Sequence, residues 1–321
     1  MVDEGRGPPP EGLGFARGGD RRQDVPPAPP RKEGSGPPPM RDVIALPNLL
    51  TLANALCGLL AISKGIDALA LDNGNPALFY AKMEAASWLI FLGMVFDMLD
   101  GKVARWTGGS SEFGAQLDSF ADALTFGCAP ALLAKMLIEH EGPLLGYSGN
   151  PRIHFLCAAA FSLMAMLRLV RFNLENEPDE DAHQSFKGLP SPAAAGAVAS
   201  AILFYLVARK PELEMDTGTP TPVGHFMGLA RDLDLALPWW FLPGLAALLP
   251  LLGFLMVSRV RYTHLASALT RRGPFLALVW LVFGAFLVWL APIPILFLAF
   301  NGFVLFGILR AGIRRPTAPV P

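Results

Sequence analysis

Four aspartates stand close together in an otherwise apolar stretch of this sequence: Asp97, Asp100, Asp118 and Asp122, within the run FDMLDGKVARWTGGSSEFGAQLDSFADALTFG. Spacings of three and four residues put each pair on one face of a helix. A short connection makes the two helices antiparallel neighbours, so the pairs can face each other. Oxygen donors converging without His or Cys suit a hard divalent cation, Mg²⁺ or Mn²⁺. Gly101 directly follows Asp100, and Gly114 lies one turn before Asp118, which lets a ligand or backbone approach closely. Gly108, Gly109, Ser110 and Ser111 offer amides and hydroxyls near a helix start, a favourable place for phosphate. Arg105 adds a fork-shaped cation matched to phosphate oxygens. Any one of these acids could simply cap a helix or sit in a solvated loop. All four at this spacing, bracketed by Gly101, Arg105 and Gly114, favour a site.

The elements that must position these residues are membrane helices. Charged residues are only 17% of the 321, against roughly 25% in soluble domains, while apolar residues reach 52%; mean hydropathy is +0.41. A charge near the bilayer centre costs about 2.5–3.5 kcal/mol on insertion scales, so acids at membrane depth call for a function. Uncharged runs predict spanning segments near 43–63, 77–99, 115–138, 153–174, 190–208, 237–257, 274–291 and 293–312. The fifth is Ala-rich and only moderately apolar, and the last two are separated by little more than Pro292. The fold class expected is all-α, a polytopic membrane helix bundle.

Loop charges test this count. With both termini on one side, 19 of the 26 Lys and Arg fall there and five opposite, with Lys82 and Lys135 inside segments. By the positive-inside rule that side is the cytoplasm, and it carries the four acids. Residues 1–40 hold 10 of the 30 prolines and 8 of the 32 glycines and almost no large apolar residues, which reads as a disordered cytoplasmic tail. No apolar run follows a basic start within the first 30 residues, so no cleavable signal peptide is expected. Cys57, Cys128 and Cys157 lie in apolar segments without CxxC pairing and read as buried thiols. With 26 Lys+Arg against 27 Asp+Glu, bulk basicity gives no nucleic-acid binder. The acidic run from Glu175 to Asp181 reads as a solvated loop, His140 and His183 as isolated residues and not ligands, and Trp239, Trp240, Trp280 and Trp289 as interface anchors or lipid-facing bulk.

Asp97-x-x-Asp100-Gly101-x-x-Ala104-Arg105, eight residues, then Gly114-x-x-x-Asp118-x-x-x-Asp122 resembles the signature of the CDP-alcohol phosphatidyltransferase family, without departure. The resemblance implies a six-helix catalytic domain over 41–265. It implies two metal ions held by Asp97, Asp100 and Asp118, with Asp122 contacting metal and acting as the base on an acceptor hydroxyl. Gly101, Ala104, Arg105, Ser111 and Gly114 are then on the CDP-lipid side. The physics agrees: displacing CMP requires neutralising a pyrophosphate, and two cations about 3.5–4 Å apart can do so.

Three further stretches look like the phosphatidylserine-forming branch of that family: Pro47 to Asn54 with Cys57-Gly58; Arg168 to Asn173 with Phe186-Lys187-Gly188-Leu189-Pro190; and Leu255 to Tyr262. Val170 stands where the family pattern has Ala. The donor expected is CDP-diacylglycerol and the acceptor L-serine, whose carboxylate Arg168, Arg171 and Lys187 could hold; the alternative for these three is positive-inside anchoring or lipid-headgroup contact. Asn48 and Thr51 could contact the nucleotide or cap their helix. Glycerol phosphate, inositol phosphate and choline are the alternative acceptors, and a divalent-cation transporter is the alternative from another class. The expected location is the bacterial inner membrane among membrane lipids. Residues 266–315 read as two further helices outside the resemblance, expected to pack on the core, form a homodimer contact or fix the C-terminus inside; 316–321 reads as a disordered end.

Overall fold

The computed structural model describes residues 46–70, 76–107, 112–147, 149–175, 186–209, 240–258, 260–262 and 291–313, with short helical pieces between 279 and 289. The chain divides into Met1–Pro39 and Met40–Pro321; the first unit, and with it the tail expected over 1–40, lies outside the described residues, as does the end at 316–321.

The helices are α1 (Leu46–Ala70), α2 (Pro76–Thr107), α3 (Glu112–Asp122), α4 (Ala129–Leu144), α5 (Pro151–Glu175), α6 (Ser191–Arg209), α7 (Phe241–Val257) and α8 (Pro292–Ile313). A π-helical turn, Ala123–Cys128, joins α3 to α4. Pro130 follows it; a proline has no N–H for the carbonyl four residues back and its ring crowds that carbonyl, so the widened turn sits where the ladder is already interrupted. Among the described residues six helical stretches are long and apolar enough to cross a membrane: α1, α2, α3 through α4, α5, α6 and α8. α7 is apolar but shorter. The chain is thus an all-α, multi-pass membrane bundle.

The expected segments are corrected at several ends. The second runs to Thr107 rather than 99, and the third starts at Glu112 rather than 115. Asp100 is therefore inside α2 together with Asp97, while Asp118 and Asp122 lie on α3, Asp122 as its last residue before the π turn. The first runs on to Ala70. The expected segment 274–291 lies mostly outside the described residues.

The Ala-rich composition of α6 has a physical cause. Its apolar window is 78% buried, against 17% for α8. A central helix touched on several sides needs small side chains to let its neighbours close in; hydropathy alone underrates it. α8 packs on this helix: a Cβ on Gly196 would overlap the Phe300 ring, and Asn301 Nδ2 lies 3.4 Å from Ala197 O and 3.3 Å from Ser200 Oγ. Of the roles open to the last helix, packing on the core is the one the structure displays.

Two short strands, β1 (Phe186–Lys187) and β2 (Arg261–Tyr262), pair antiparallel with Phe186 opposite Tyr262 and Lys187 opposite Arg261. Gly188 extends the clip, its N–H donating to Val260 O at 2.8 Å, while Leu189 N–H donates to Leu255 O at 3.0 Å. Gly188 has φ of 91° and a Cβ there would run into Met256 O, so glycine is required on both counts. Two stretches distant in sequence, 186–190 just before α6 and 255–262 across the end of α7, are thereby stitched together.

Candidate active site

The four acids gather at the end of the bundle where α2 finishes and α3 begins. Carboxylate oxygens of Asp97, Asp100 and Asp118 all lie within 4.8 Å of one another. Asp97 and Asp118 are half-buried; Asp100 is 5% exposed and Asp122 8%. Asp118 Oδ1 is buried with no hydrogen-bond partner among the described residues. A bare triangle of like charges with an unmatched buried oxygen is poor chemistry by itself, and it fits a hard divalent cation. Asp122 stands outside that triangle, one turn further along α3.

α1 supplies the polar residues behind the acids. Thr51 Oγ1 lies 2.9 Å from Asp100 Oδ2 and 3.1 Å from Pro47 O, so its single hydrogen is shared between them. Asn54 Nδ2 donates to Asp122 Oδ1 at 3.2 Å, and Thr125 Oγ1 donates to Asn54 O at 2.8 Å. Close packing holds this arrangement in place. A Cβ on Gly58 would come 2.6 Å from Thr125 Oγ1, and one on Gly93 would come 2.5 Å from Thr125 Cγ2 and 2.9 Å from Asn54 Oδ1. Glycine at both positions lets α1, α2 and the π turn meet directly beneath the acids.

The remaining expected residues separate by environment. A Cβ on Gly101 would meet nothing within 4 Å, so this glycine borders open space beside Asp100. Ala104 and Gly114 are half-buried, Arg105 is exposed and Asn48 is buried. Ser111 lies outside the described residues, as does the Lys187 side chain. Arg168 Nη1 donates to Ser191 Oγ at 3.0 Å, and Arg168 lies within electrostatic reach of Asp122. Arg171 Nη1 donates to Val257 O at 3.3 Å, and Asn173 Nδ2 donates to Ser119 Oγ at 2.9 Å. Thus the C-terminal half of α5 touches α3, the start of α6 and the end of α7.

Asn54 belongs to the Pro47–Asn54 stretch but had no role of its own in the sequence reading, and Thr125 and Ser191 were not singled out there. A signal existed for the first: Asn48, Thr51 and Asn54 recur every third residue on an apolar helix, a polar stripe that all faces inward. The reading of His140 as isolated is corrected. It stacks on Phe79 with ring centroids 3.5 Å apart, and its Nδ1 lies 2.9 Å from Glu141 Oε1, at the other end of the bundle from the four aspartates. All three cysteines are free, Cys57 buried and the other two half-buried.

A family model described as CDP-alcohol phosphatidyltransferase matches residues 44–230. The chain is 36% identical over 149 residues to the CDP-diacylglycerol–serine O-phosphatidyltransferase of Bacillus subtilis, covering 46% of this chain and 70% of that protein. To the protein of the same name from Helicobacter pylori it is 30% identical over 277 residues, 85% of this chain and 93% of the relative. To the archaetidylserine synthase of Methanothermobacter thermautotrophicus it is 36% identical over 172 residues, 53% and 61%. The Helicobacter alignment is long enough to reach past residue 230, into the region beyond the family-model match.

Proposed function

This chain belongs to the CDP-alcohol phosphatidyltransferase family, and on that premise we propose that it transfers a phosphatidyl group from CDP-diacylglycerol to L-serine, giving phosphatidylserine and CMP. The observation that carries the serine assignment is the meeting of three stretches, Arg168 to Asn173, the clip at 186–190 with the start of α6, and 255–262, of which Arg168 lies within electrostatic reach of Asp122. Relatives named for serine transfer support the same acceptor.

Asp97, Asp100 and Asp118 would hold Mg²⁺ or Mn²⁺, two ions in our reading. When bound, the ions neutralise the pyrophosphate and the charge on the departing phosphate oxygen. The chain's own residues do the rest. Thr51 steadies Asp100. Gly101 leaves room for the CDP-lipid phosphates, with Ala104, Arg105, Ser111 and Gly114 alongside and Asn48 towards the nucleotide. Asn54 fixes Asp122 Oδ1 and so leaves Oδ2 to take the proton from the serine hydroxyl. The serine oxygen then bonds to the lipid-bearing phosphorus, the bond from that phosphorus to the CMP oxygen breaks, and CMP departs. Positioning and electrostatics supply most of the acceleration. Arg171 and Lys187 would receive the serine carboxylate together with Arg168, which lies within electrostatic reach of Asp122, so that the serine hydroxyl is turned towards the base.

We place this end of the bundle at the cytoplasmic face of a bacterial inner membrane, where CDP-lipid headgroup and free serine can both reach it. The test is CMP release by purified protein given CDP-diacylglycerol and, in turn, L-serine, glycerol phosphate, inositol phosphate and choline, with Mg²⁺ or Mn²⁺. Release with serine alone is expected. Release only with another acceptor would overturn the serine assignment, and cation flux into liposomes without CMP release would overturn the transferase reading.

A further inference from the structure

The far end of the bundle carries another buried carboxylate, and nothing in the chemistry above uses it. Glu141, near the end of α4, is 0% exposed. Its Oε2 accepts from Tyr80 Oη of α2 at 2.8 Å and from Tyr205 Oη of α6 at 2.7 Å. Oε1 faces His140 Nδ1 at 2.9 Å, and Arg209 Nε lies 3.6 Å from Oε2. Phe79, next to Tyr80, stacks on His140, next to Glu141. Consecutive residues of α2 thus address consecutive residues of α4.

These two helical stretches also carry the aspartates. α2 is unbroken from Tyr80 to Asp97 and Asp100, about 25–30 Å at about 1.5 Å per residue. The stretch from Asp118 and Asp122 through the π turn to Glu141 covers a similar length. At the aspartate end the facing groups are like charges, which push the helices apart until a cation arrives. At the Glu141 end, a slide of α2 by one helical turn, about 5.4 Å, would take Tyr80 away and leave a buried carboxylate one donor short, a penalised state.

We propose that Glu141 is a positioning residue: through Tyr80 it locks the axial register of α2 against α3 and α4, and so holds Asp97 and Asp100 within ligand distance of Asp118 before the cation binds. The metal part of this inference rests on the cation reading above; the register part does not.

The two tyrosines separate this lock from a general structural role. Tyr80 is on α2, which carries two of the acids, whereas Tyr205 is on α6, which carries none. Tyr80→Phe and Tyr205→Phe should each lower the thermal midpoint of the purified protein. Mn²⁺ titration followed by electron paramagnetic resonance should show binding weakened at least about threefold in Tyr80→Phe and unchanged in Tyr205→Phe, with Glu141→Gln, which keeps an acceptor oxygen, between wild type and Glu141→Leu. If Glu141→Leu fails to enter the membrane, the two phenylalanine variants still decide. The register is read separately from spin labels on cysteines replacing the exposed Lys102 and Glu112 in a cysteine-free, metal-free background. That distance should shift or broaden by up to about 5 Å, one turn, in Tyr80→Phe only. Wild-type spacing and Mn²⁺ binding in Tyr80→Phe, or equal effects in both variants, would overturn the lock. A wild type that binds no Mn²⁺ would overturn the metal part and the cation reading, while the label distances would still judge the register.

Discussion

Two ends of one bundle bury carboxylates in opposite ways. Around Glu141, two tyrosine hydroxyls, a histidine and an arginine surround a single acid. At the other end four acids share Thr51 and Asn54, and Asp118 Oδ1 has no partner among the described residues. A membrane protein tolerates a buried charge only where something compensates it. Where the compensation is built from the chain itself, the acid is architectural; where the chain supplies less of it, as at Asp97 and Asp118, a bound cation is the compensation proposed above. The contrast supports the proposed placement of the active end without reference to any relative.

The largest effects should come from removing an oxygen charge at the incomplete end. Asp97→Asn or Asp118→Asn should abolish CMP release while leaving the protein folded in the membrane, because a ligand is lost but no volume is. Either variant turning over like wild type at saturating Mg²⁺ would break the comparison, since the aspartate cluster would then be as architectural as Glu141.

Asp122 divides the incomplete end further. It lies outside the three-acid triangle and is held by Asn54. Asp122→Asn keeps shape and an oxygen but cannot take a proton. Turnover should fall by about 10²–10⁴, the range for a lost general base, while CDP-diacylglycerol binding stays within about tenfold, roughly 1.4 kcal/mol. Asp100→Asn should instead weaken metal and nucleotide binding together. Equal loss of nucleotide binding in both would make Asp122 one more ligand.

The sequence displayed the incomplete end far more clearly than the complete one. The acids, Gly101 and Gly114 stand within one short run, so local spacing sufficed. The Glu141 hub draws Tyr80, His140, Glu141, Tyr205 and Arg209 from three helices, and no local pattern joins them. Asn54 is intermediate: its polar stripe on α1 was legible, but that it faces Asp122 follows from how α1 crosses α3. Bundle type followed from hydropathy. The depth of α6 did not, because small residues at a crowded centre read as weak hydrophobicity.

Tyr205→Phe probes the complete end alone. It removes one hydrogen bond to a buried charged group, a loss of about 1.5–3 kcal/mol, and should appear as a lower thermal midpoint with unchanged CMP release at saturating substrates. Lost turnover at an unchanged midpoint would mean that the far end takes part in the chemistry.

The smallest effect is expected from the corresponding deletion at the incomplete end, Thr51→Val. The Thr51 hydroxyl stands between Asp100 Oδ2 and Pro47 O. Its one hydrogen cannot serve both fully, so less is lost than where Tyr205 commits to Glu141. Pro47 O remains beside helical backbone, and Asp100 would keep the cation proposed for its oxygens. Stability should therefore change by less than about 1 kcal/mol. Asp100 does lose the group that aims it, so the half-saturating Mg²⁺ concentration should rise a few-fold while the maximal rate stays near wild type. A larger loss of stability in Thr51→Val than in Tyr205→Phe would reverse the comparison: the acids would then be held chiefly by the chain, with little left for a cation to complete.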